Sequence, residues 1–163
     1  MAEPSSLETL DRPISDTPWI NFRDPGSPDL DTLAAREGFH PLEIEDCRHR
    51  NQVAKIIEHE EYTFIVIKAI RFDEARLDLE FDDFDLFVKP ALLVTVQEKE
   101  CRGLVERVVP RMRTSQVRHR PWRLAHALLD IAVDDYLPVL DRIGDPIDDL
   151  QNDVLQRPSP ETL

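Results

Sequence analysis

Apolar residues follow strand periodicity in the first part of the chain and helical periodicity in the last part. Between Glu61 and Phe72, apolar side chains occupy both alternating positions, which is typical of a strand covered on both faces. Residues 77–88 are predicted to form a further strand, and another β-rich run follows at residues 91–96. The turn at Lys89–Pro90 predicts an antiparallel hairpin between these two strands. From Pro121 to Leu155, apolar residues recur every three or four positions, which predicts one long helix. The chain is therefore predicted to be α/β.

Capping and turn signals predict the shorter elements. Ser27 followed by Pro28 begins a helix, and Gly38 ends it. Two further strands and two further helices are predicted at residues 19–22, 53–58, 40–47 and 103–112.

Two features of the pattern predict irregularities. The alternation of apolar residues changes phase at Asp82–Asp83, which predicts a bulge and places Asp82, Asp83 and Asp85 at a turn or a sheet edge. In the long helix, Pro138 is expected to cause a kink, and Gly144-Asp145-Pro146 an interruption.

Composition and periodicity divide the chain into four parts. Residues 1–18, rich in Pro, Ser, Thr and Asp, are interpreted as an irregular lead-in. Residues 19–120 are assigned to an α/β core, and residues 121–157 to the long helix that packs on it. Residues 158–163 carry a cap, a proline and an acidic residue in the order that begins a helix, so we expect the start of a truncated further helix.

The charge balance favours cationic partners, either metal ions or basic proteins, and an acidic surface that only keeps the chain soluble explains it equally. The formal net charge is -13, which argues against binding to nucleic acid or to an anionic membrane surface. The two cysteines, Cys47 and Cys101, lie far apart and indicate a reducing compartment without a disulfide framework. The longest apolar run, around Phe64–Ile70, is far too short to span a bilayer, so this chain is predicted to be soluble.

Motifs for catalysis are not found in the sequence. It has no glycine-rich phosphate loop and no nucleophile elbow, and neither cysteine has a histidine in a recognisable arrangement. The five histidines show no paired metal-ligand spacing on a helix face. A hydrolase based on two carboxylates remains a minor alternative for which no pair of acids can be named. The chain is therefore predicted not to be an enzyme.

Carboxylates are the remaining chemical resource. Glu45 and Asp46 lie together in a short helix, and Asp130 and Asp134 lie one turn apart on the long helix. Hard divalent ions prefer oxygen ligands, and Mg2+ keeps several waters, so it needs only about one or two carboxylates. The solvated face of an amphipathic helix explains the same acids. The pattern alone leaves both interpretations open.

Several segments taken together resemble one known family. They are Trp19–Asn21, Phe39–Asp46, Tyr62–Ile67, Leu92–Glu98 and Leu128–Tyr136. In this order they resemble the cytoplasmic domain of the CorA family of magnesium transporters, and the resemblance extends from Trp19 to Pro158. One departure is Val53-Ala54-Lys55, where the family often has Arg-Pro-Lys.

The resemblance implies a fold and an assembly. The fold is an α/β/α sandwich with a mixed sheet between helical layers, followed by a long C-terminal helix. In the family, five identical subunits form a funnel on the cytoplasmic side of the inner membrane, and later helices form the stalk and the pore. The resemblance therefore implies the regulatory, divalent-cation-sensing domain of a magnesium/cobalt ion transporter. The full-length protein would be a homopentamer, and the missing C-terminal helices would be its only connection to the membrane.

The resemblance also implies site residues. Glu45 and Asp46 match the acidic pair that supplies ligands for regulatory Mg2+ between neighbouring subunits, and Asp130 matches an acidic position associated with a second ion. The family's partner acid for Asp46 lies in the stalk, outside this chain. Bound Mg2+ would neutralise acidic interfaces and hold the funnel closed, and its loss would let the subunits separate.

Two alternatives keep the same fold. One is the same domain of a zinc-transporting relative, but the lack of sulfur or imidazole clusters favours Mg2+ or Co2+ over Zn2+. The other is a stand-alone soluble module that binds a metal or a partner. The unfinished helix after Pro158 favours a transporter over that module.

Overall fold

The described part of the chain forms one sheet with helices on both faces, so the predicted α/β/α sandwich is confirmed. The computed structural model describes residues 7–8, 19–49, 52–73, 76, 78–97, 103–114 and 120–156. Most of the predicted lead-in at residues 1–18 lies outside these residues, as does the whole of the predicted helix start at residues 158–163.

The sheet has six strands among the described residues. They are β1 (Leu7–Glu8), β2 (Trp19–Phe22), β3 (Lys55–Glu58), β4 (Thr63–Asp73), β5 (Asp78–Val88) and β6 (Leu93–Gln97). Their order across the sheet is β1-β2-β6-β5-β4-β3. Strands β2 and β6 are parallel, and the other neighbouring pairs are antiparallel. The predicted mixed sheet and the hairpin of β5 and β6 are therefore confirmed.

Five helices accompany the sheet in the described residues. They are α1 (Pro28–Glu37), α2 (Pro41–Asp46), α3 (Leu104–Thr114), α4 (Pro121–Asp134) and α5 (Tyr136–Gln156). The cap predicted for α1 is confirmed, because the Ser27 hydroxyl accepts a hydrogen bond from the amide of Asp29 at 3.3 Å. Gly38 ends α1 with a φ of 76°, a left-handed conformation that glycine adopts without strain.

The core consists of two apolar layers, one on each face of the sheet. The α1–α2 layer includes the buried residues Leu30, Phe39, Ile44, Phe64, Val66 and Phe87. The α3–α4 layer includes the buried residues Ile65, Phe84, Leu86, Leu104, Leu124 and Leu128. Strand β4 contributes to both, with Phe64 in the first layer and Ile65 in the second. The prediction that this strand is covered on both faces is thus confirmed.

The predicted bulge in β5 is wrong. The pairing of β4 with β5 runs without a break over the whole length of both strands. Asp82, Asp83 and Asp85 all lie within β5, which is an interior strand and not a turn or a sheet edge. Asp83 and Asp85 are 6% and 1% exposed. The alternation of apolar residues is interrupted at Asp83 because this buried position holds an acid. The core tolerates the acid because it forms an ion pair with Lys68.

The predicted long helix is divided at Asp135 into α4 and α5. Pro138 accounts for the division, because it has no N–H to offer the carbonyl of Asp134, where α4 ends. In the first turn of α5 the missing N–H costs nothing, since such groups have no partner within the helix. The predicted interruption at residues 144–146 is wrong, because α5 continues through them. None of the described helices combines the length and the apolar character needed to cross a membrane.

Candidate divalent-cation site

Helix α2 carries two of the predicted ligands, Glu45 and Asp46, at its C-terminal end. The helix begins after His40, whose Nδ1 accepts a hydrogen bond from the amide of Leu42 at 3.2 Å. Ile44 anchors it in the α1–α2 layer, which leaves Glu45 exposed and Asp46 half-buried. Carboxylates at the C-terminal end of a helix add to its negative potential, so this position favours a cation.

Asp46 already has a cationic partner in the same chain. Nζ of Lys55, on β3, lies 2.5 Å from Oδ2 of Asp46. The two side chains are 31% and 27% exposed, so the ion pair is only partly shielded from solvent. The Glu45 carboxylate, by contrast, makes no hydrogen bond or ion pair with any other residue that the structure describes.

The third predicted ligand, Asp130, lies on α4 and is exposed. Arg111 of α3 donates a hydrogen bond to its carboxylate at 3.1 Å and lies 3.7 Å from the carboxylate of Asp134. The shared arginine shows that Asp130 and Asp134 lie one turn apart on the same side of α4. Asp130 therefore resembles Asp46 in being paired with a basic side chain of its own chain.

The structure does not bring the three predicted ligands together within one chain. Helix α2 packs in the α1–α2 layer, whereas α4 packs in the α3–α4 layer on the opposite face of the sheet. Within the described ranges, no group of three or more acidic, histidine or cysteine side chains is arranged to hold a metal ion. The carboxylate oxygens suit a hard cation such as Mg2+, which keeps several waters. Within one chain, the predicted ligands therefore lie at two separate places.

A buried acid near this site was missed by the sequence pattern. Asp85 of β5 is 1% exposed, and its Oδ1 has no hydrogen-bond partner among the described residues. Burial raises the pKa of Asp85 to about 7, and a hydrogen bond with Cys47 opposes this shift. The charges of Asp46 and Lys55 act on Asp85 in opposite directions, so the three groups are neighbours. An uninterrupted alternation through β5 is the signal that would have placed Asp85 inside.

A hydrogen-bonded cluster fixes α2 on the sheet. The buried carboxylate of Glu43 accepts a hydrogen bond from the Tyr62 hydroxyl at 2.6 Å and lies 2.6 Å from Nε2 of His59. The Tyr62 hydroxyl in turn accepts one from the amide of His40 at 2.9 Å. Burial and the bond to Glu43 raise the pKa of Tyr62 to about 12, so the phenol keeps its proton near neutral pH. These hydrogen bonds fix the position of α2, and with it the position of its acidic C-terminal end.

Comparison with known proteins agrees with these observations. The family model for the CorA-like Mg2+ transporter protein matches residues 15–163. The cobalt/magnesium transport protein CorA of Thermotoga maritima is 34% identical over 154 residues, which cover 91% of this chain and 44% of that protein. This chain therefore spans less than half the length of that relative.

Solved structures share the fold at lower sequence identity. The soluble domain of CorA from Methanocaldococcus jannaschii has a TM-score of 0.62 at 19% identity, covering 99% of this chain and 64% of that one. The ZntB cytoplasmic domain from Vibrio parahaemolyticus has a TM-score of 0.61 at 10% identity, covering 88% and 59%. These likenesses show the fold. Because the family model matches most of its length, the chain belongs to the CorA-like Mg2+ transporter family.

Proposed function

We propose that this chain is the cytoplasmic, divalent-cation-sensing domain of a CorA-like magnesium/cobalt transporter whose membrane-spanning part lies outside it. The observation that carries the proposal is the acidic pair Glu45–Asp46 at the end of α2, where a cation is favoured. The domain comprises a core at residues 19–120 and the helical segment at residues 121–157. Its role is regulatory, and we assign it no catalytic activity.

Identical subunits complete the proposed sites. Asp46 and Asp130 lie on opposite layers, and a single chain surrounds neither with enough ligands in the described residues. A neighbouring subunit supplies further oxygen ligands in this proposal, and a homopentameric ring repeats each site at every interface. The net charge of -13 supports this arrangement, since acidic surfaces repel one another until a divalent cation neutralises them.

Cation binding then controls the assembly through electrostatics. With Mg2+ bound between subunits, the acidic interfaces are neutralised and the closed arrangement is favoured. When the cation leaves, like charges repel and the subunits separate. The cation is coupled to this equilibrium through its higher affinity for the closed state, and such couplings are typically about 1–3 kcal/mol.

The ligand chemistry favours Mg2+, with Co2+ as the second cation. The three proposed ligands are carboxylates, which suit hard cations, whereas structural Zn2+ sites use mainly cysteine and histidine. The Thermotoga maritima relative is named for cobalt and magnesium transport. The likeness to the ZntB domain, at 10% identity, supports only a common fold.

The variant Asp46→Asn in the complete transporter tests the proposal. Ion flux into liposomes is measured while Mg2+ on the domain side is raised. We expect the variant to need about tenfold more Mg2+ for half-maximal inhibition. Asp31→Asn is the matched control, because Asp31 is a carboxylate of α1 that pairs with Arg48 at 2.7 Å, and it should respond like the unaltered protein. Unchanged inhibition in Asp46→Asn would remove Asp46 from the site.

A further inference from the structure

The cation next to Asp46 in this structure is the ammonium group of Lys55, 2.5 Å from Oδ2. Ligand oxygens lie about 2.0–2.1 Å from Mg2+. A magnesium ion on Oδ2 and the Lys55 ammonium would therefore be only a few ångströms apart. Two cations this close repel strongly in a partly shielded site. Binding of the ion to Oδ2 of Asp46 thus requires that the Lys55 ammonium move away.

We propose that Lys55 is a tethered competitor for the divalent cation at Asp46 and that it sets the concentration at which the cation binds. This role rests on the proposed function of Asp46 as a metal ligand. The apparent affinity for the cation equals the intrinsic affinity multiplied by the fraction of time that Asp46 is free of Lys55. Lys55 thereby keeps the site insensitive to low cation concentrations.

A second arrangement for the displaced ammonium is available in the interior. The Oδ1 atom of Asp85 is buried and has no hydrogen-bond partner among the described residues. Lys55 is close enough to Asp85 for its charge to act on that carboxyl. Nζ of Lys55 also lies 5.9 Å from the ring centre of Phe64, whose face attracts a cation. In this proposal, the displaced ammonium moves from Asp46 towards the ring of Phe64 and the carboxyl of Asp85.

The lysine signals of this chain allow a direct measurement. The sequence has four lysines, so NMR detection of Nζ in protein labelled with 15N-lysine gives few signals to separate. One chain supplies only part of the proposed site, so Mg2+ binds it weakly and MgCl2 is added until the signals stop changing. Over this titration, the Nζ signal of Lys55 should shift together with the backbone amide signals of residues 45–49. The Nζ signal of Lys89 should not change.

A pair of lysine variants separates competition from general charge. Lys55→Met should bind Mg2+ about tenfold more tightly than the unaltered chain, judged from the amide signals of residues 45–49. Lys89→Met is the matched control. It removes an equal charge, an ion pair with Glu37 at 3.3 Å and a contact 5.8 Å above the ring of Phe39. Its affinity should stay within about twofold of the unaltered chain.

Asp46→Asn distinguishes failure at Lys55 from failure at the metal ligand. If Lys55→Met binds no more tightly than the unaltered chain, while Asp46→Asn abolishes binding, competition by Lys55 is refuted and Asp46 remains a ligand. Competition is also refuted if Lys55→Met and Lys89→Met raise the affinity for Mg2+ equally. It is refuted as well if the higher affinity of Lys55→Met persists when Asp46→Asn is added. Absence of any Mg2+-dependent shift at residues 45–49 in Lys55→Met refutes it too. The flux measurement on the complete transporter decides independently whether Asp46 senses Mg2+.

Discussion

The hydroxyl of Tyr62 donates a hydrogen bond of 2.6 Å to Oε2 of Glu43 on α2, and both residues are buried. The Tyr62 hydroxyl oxygen accepts a hydrogen bond from the amide of His40, so one phenol connects the start of α2 with its middle. A buried carboxylate is tolerated only where hydrogen bonds replace those of water. The position of the acidic end of α2 therefore depends on this cluster.

Tyr62→Phe is expected to lower the free energy of unfolding by about 2–3 kcal/mol, because it leaves a Glu43 oxygen and the His40 amide without this partner. Urea denaturation measures the loss. Tyr136→Phe is the control, since the Tyr136 hydroxyl donates one hydrogen bond, to the carbonyl of Lys68 at 2.9 Å. Its loss should be about 1 kcal/mol. Equal losses in the two variants would contradict the importance of the cluster.

Asp85 is expected to make stability depend on pH. Its pKa in the folded chain is about 7, above the ordinary value of 3.8, because the core disfavours the charged form. The unfolded chain releases this proton first, so stability falls as pH rises from about 4 to about 7 and then levels off. Asp85→Asn removes this dependence. Relative to the unaltered chain, it should gain about 2–4 kcal/mol between about pH 4 and about pH 8.

Denaturant unfolding of both proteins at several pH values in this window measures the difference between them. Asp31→Asn serves as the control, because Asp31 is an exposed carboxylate on α1. Its difference from the unaltered chain should vary little over the same range. A constant difference for Asp85→Asn would contradict the raised pKa.

Gly38 and Gly144 should respond in opposite directions to the same substitution. An added Cβ would meet no other described atom within 4 Å at either position, so neither alanine clashes. Gly38 has a φ of 76°, where an alanine costs about 1 kcal/mol of backbone strain. Gly144 lies within α5, where alanine should stabilise by about 0.5–1 kcal/mol. Thermal unfolding of the two variants measures both signs, and destabilisation by Gly144→Ala would contradict a regular helix there.

Local signals in the sequence predicted most of the fold because they depend on neighbouring residues alone. The cap at Ser27 and the left-handed Gly38 require only the residues around them. The burial of β4 on both faces follows from its two apolar sides. Pro138 was identified as an irregularity, although its effect falls before it, at Asp135.

Long-range contacts of polar side chains could not be predicted in the same way. Alternation assigns a carboxylate to the surface, so the sequence pattern predicts Asp85 at a turn or a sheet edge and not in the core. The predicted ligands Glu45, Asp46 and Asp130 came from a family resemblance and stay a prediction. The pairing of Asp46 with Lys55 depends on how β3 lies beside α2, and this arrangement cannot be predicted from the sequence of either segment alone.

The parallel pairing of β2 with β6 has a consequence for how the chain folds. The Thr95 hydroxyl donates a hydrogen bond to the Asn21 side chain at 2.8 Å, across 74 residues of sequence. Strands β4 and β5, by contrast, follow each other closely and pair as a hairpin. Closing a long loop costs chain entropy before its contacts compensate, so such pairing is slow. During synthesis, β2 therefore leaves the ribosome well before β6 and cannot form its parallel pairing until β6 has been made.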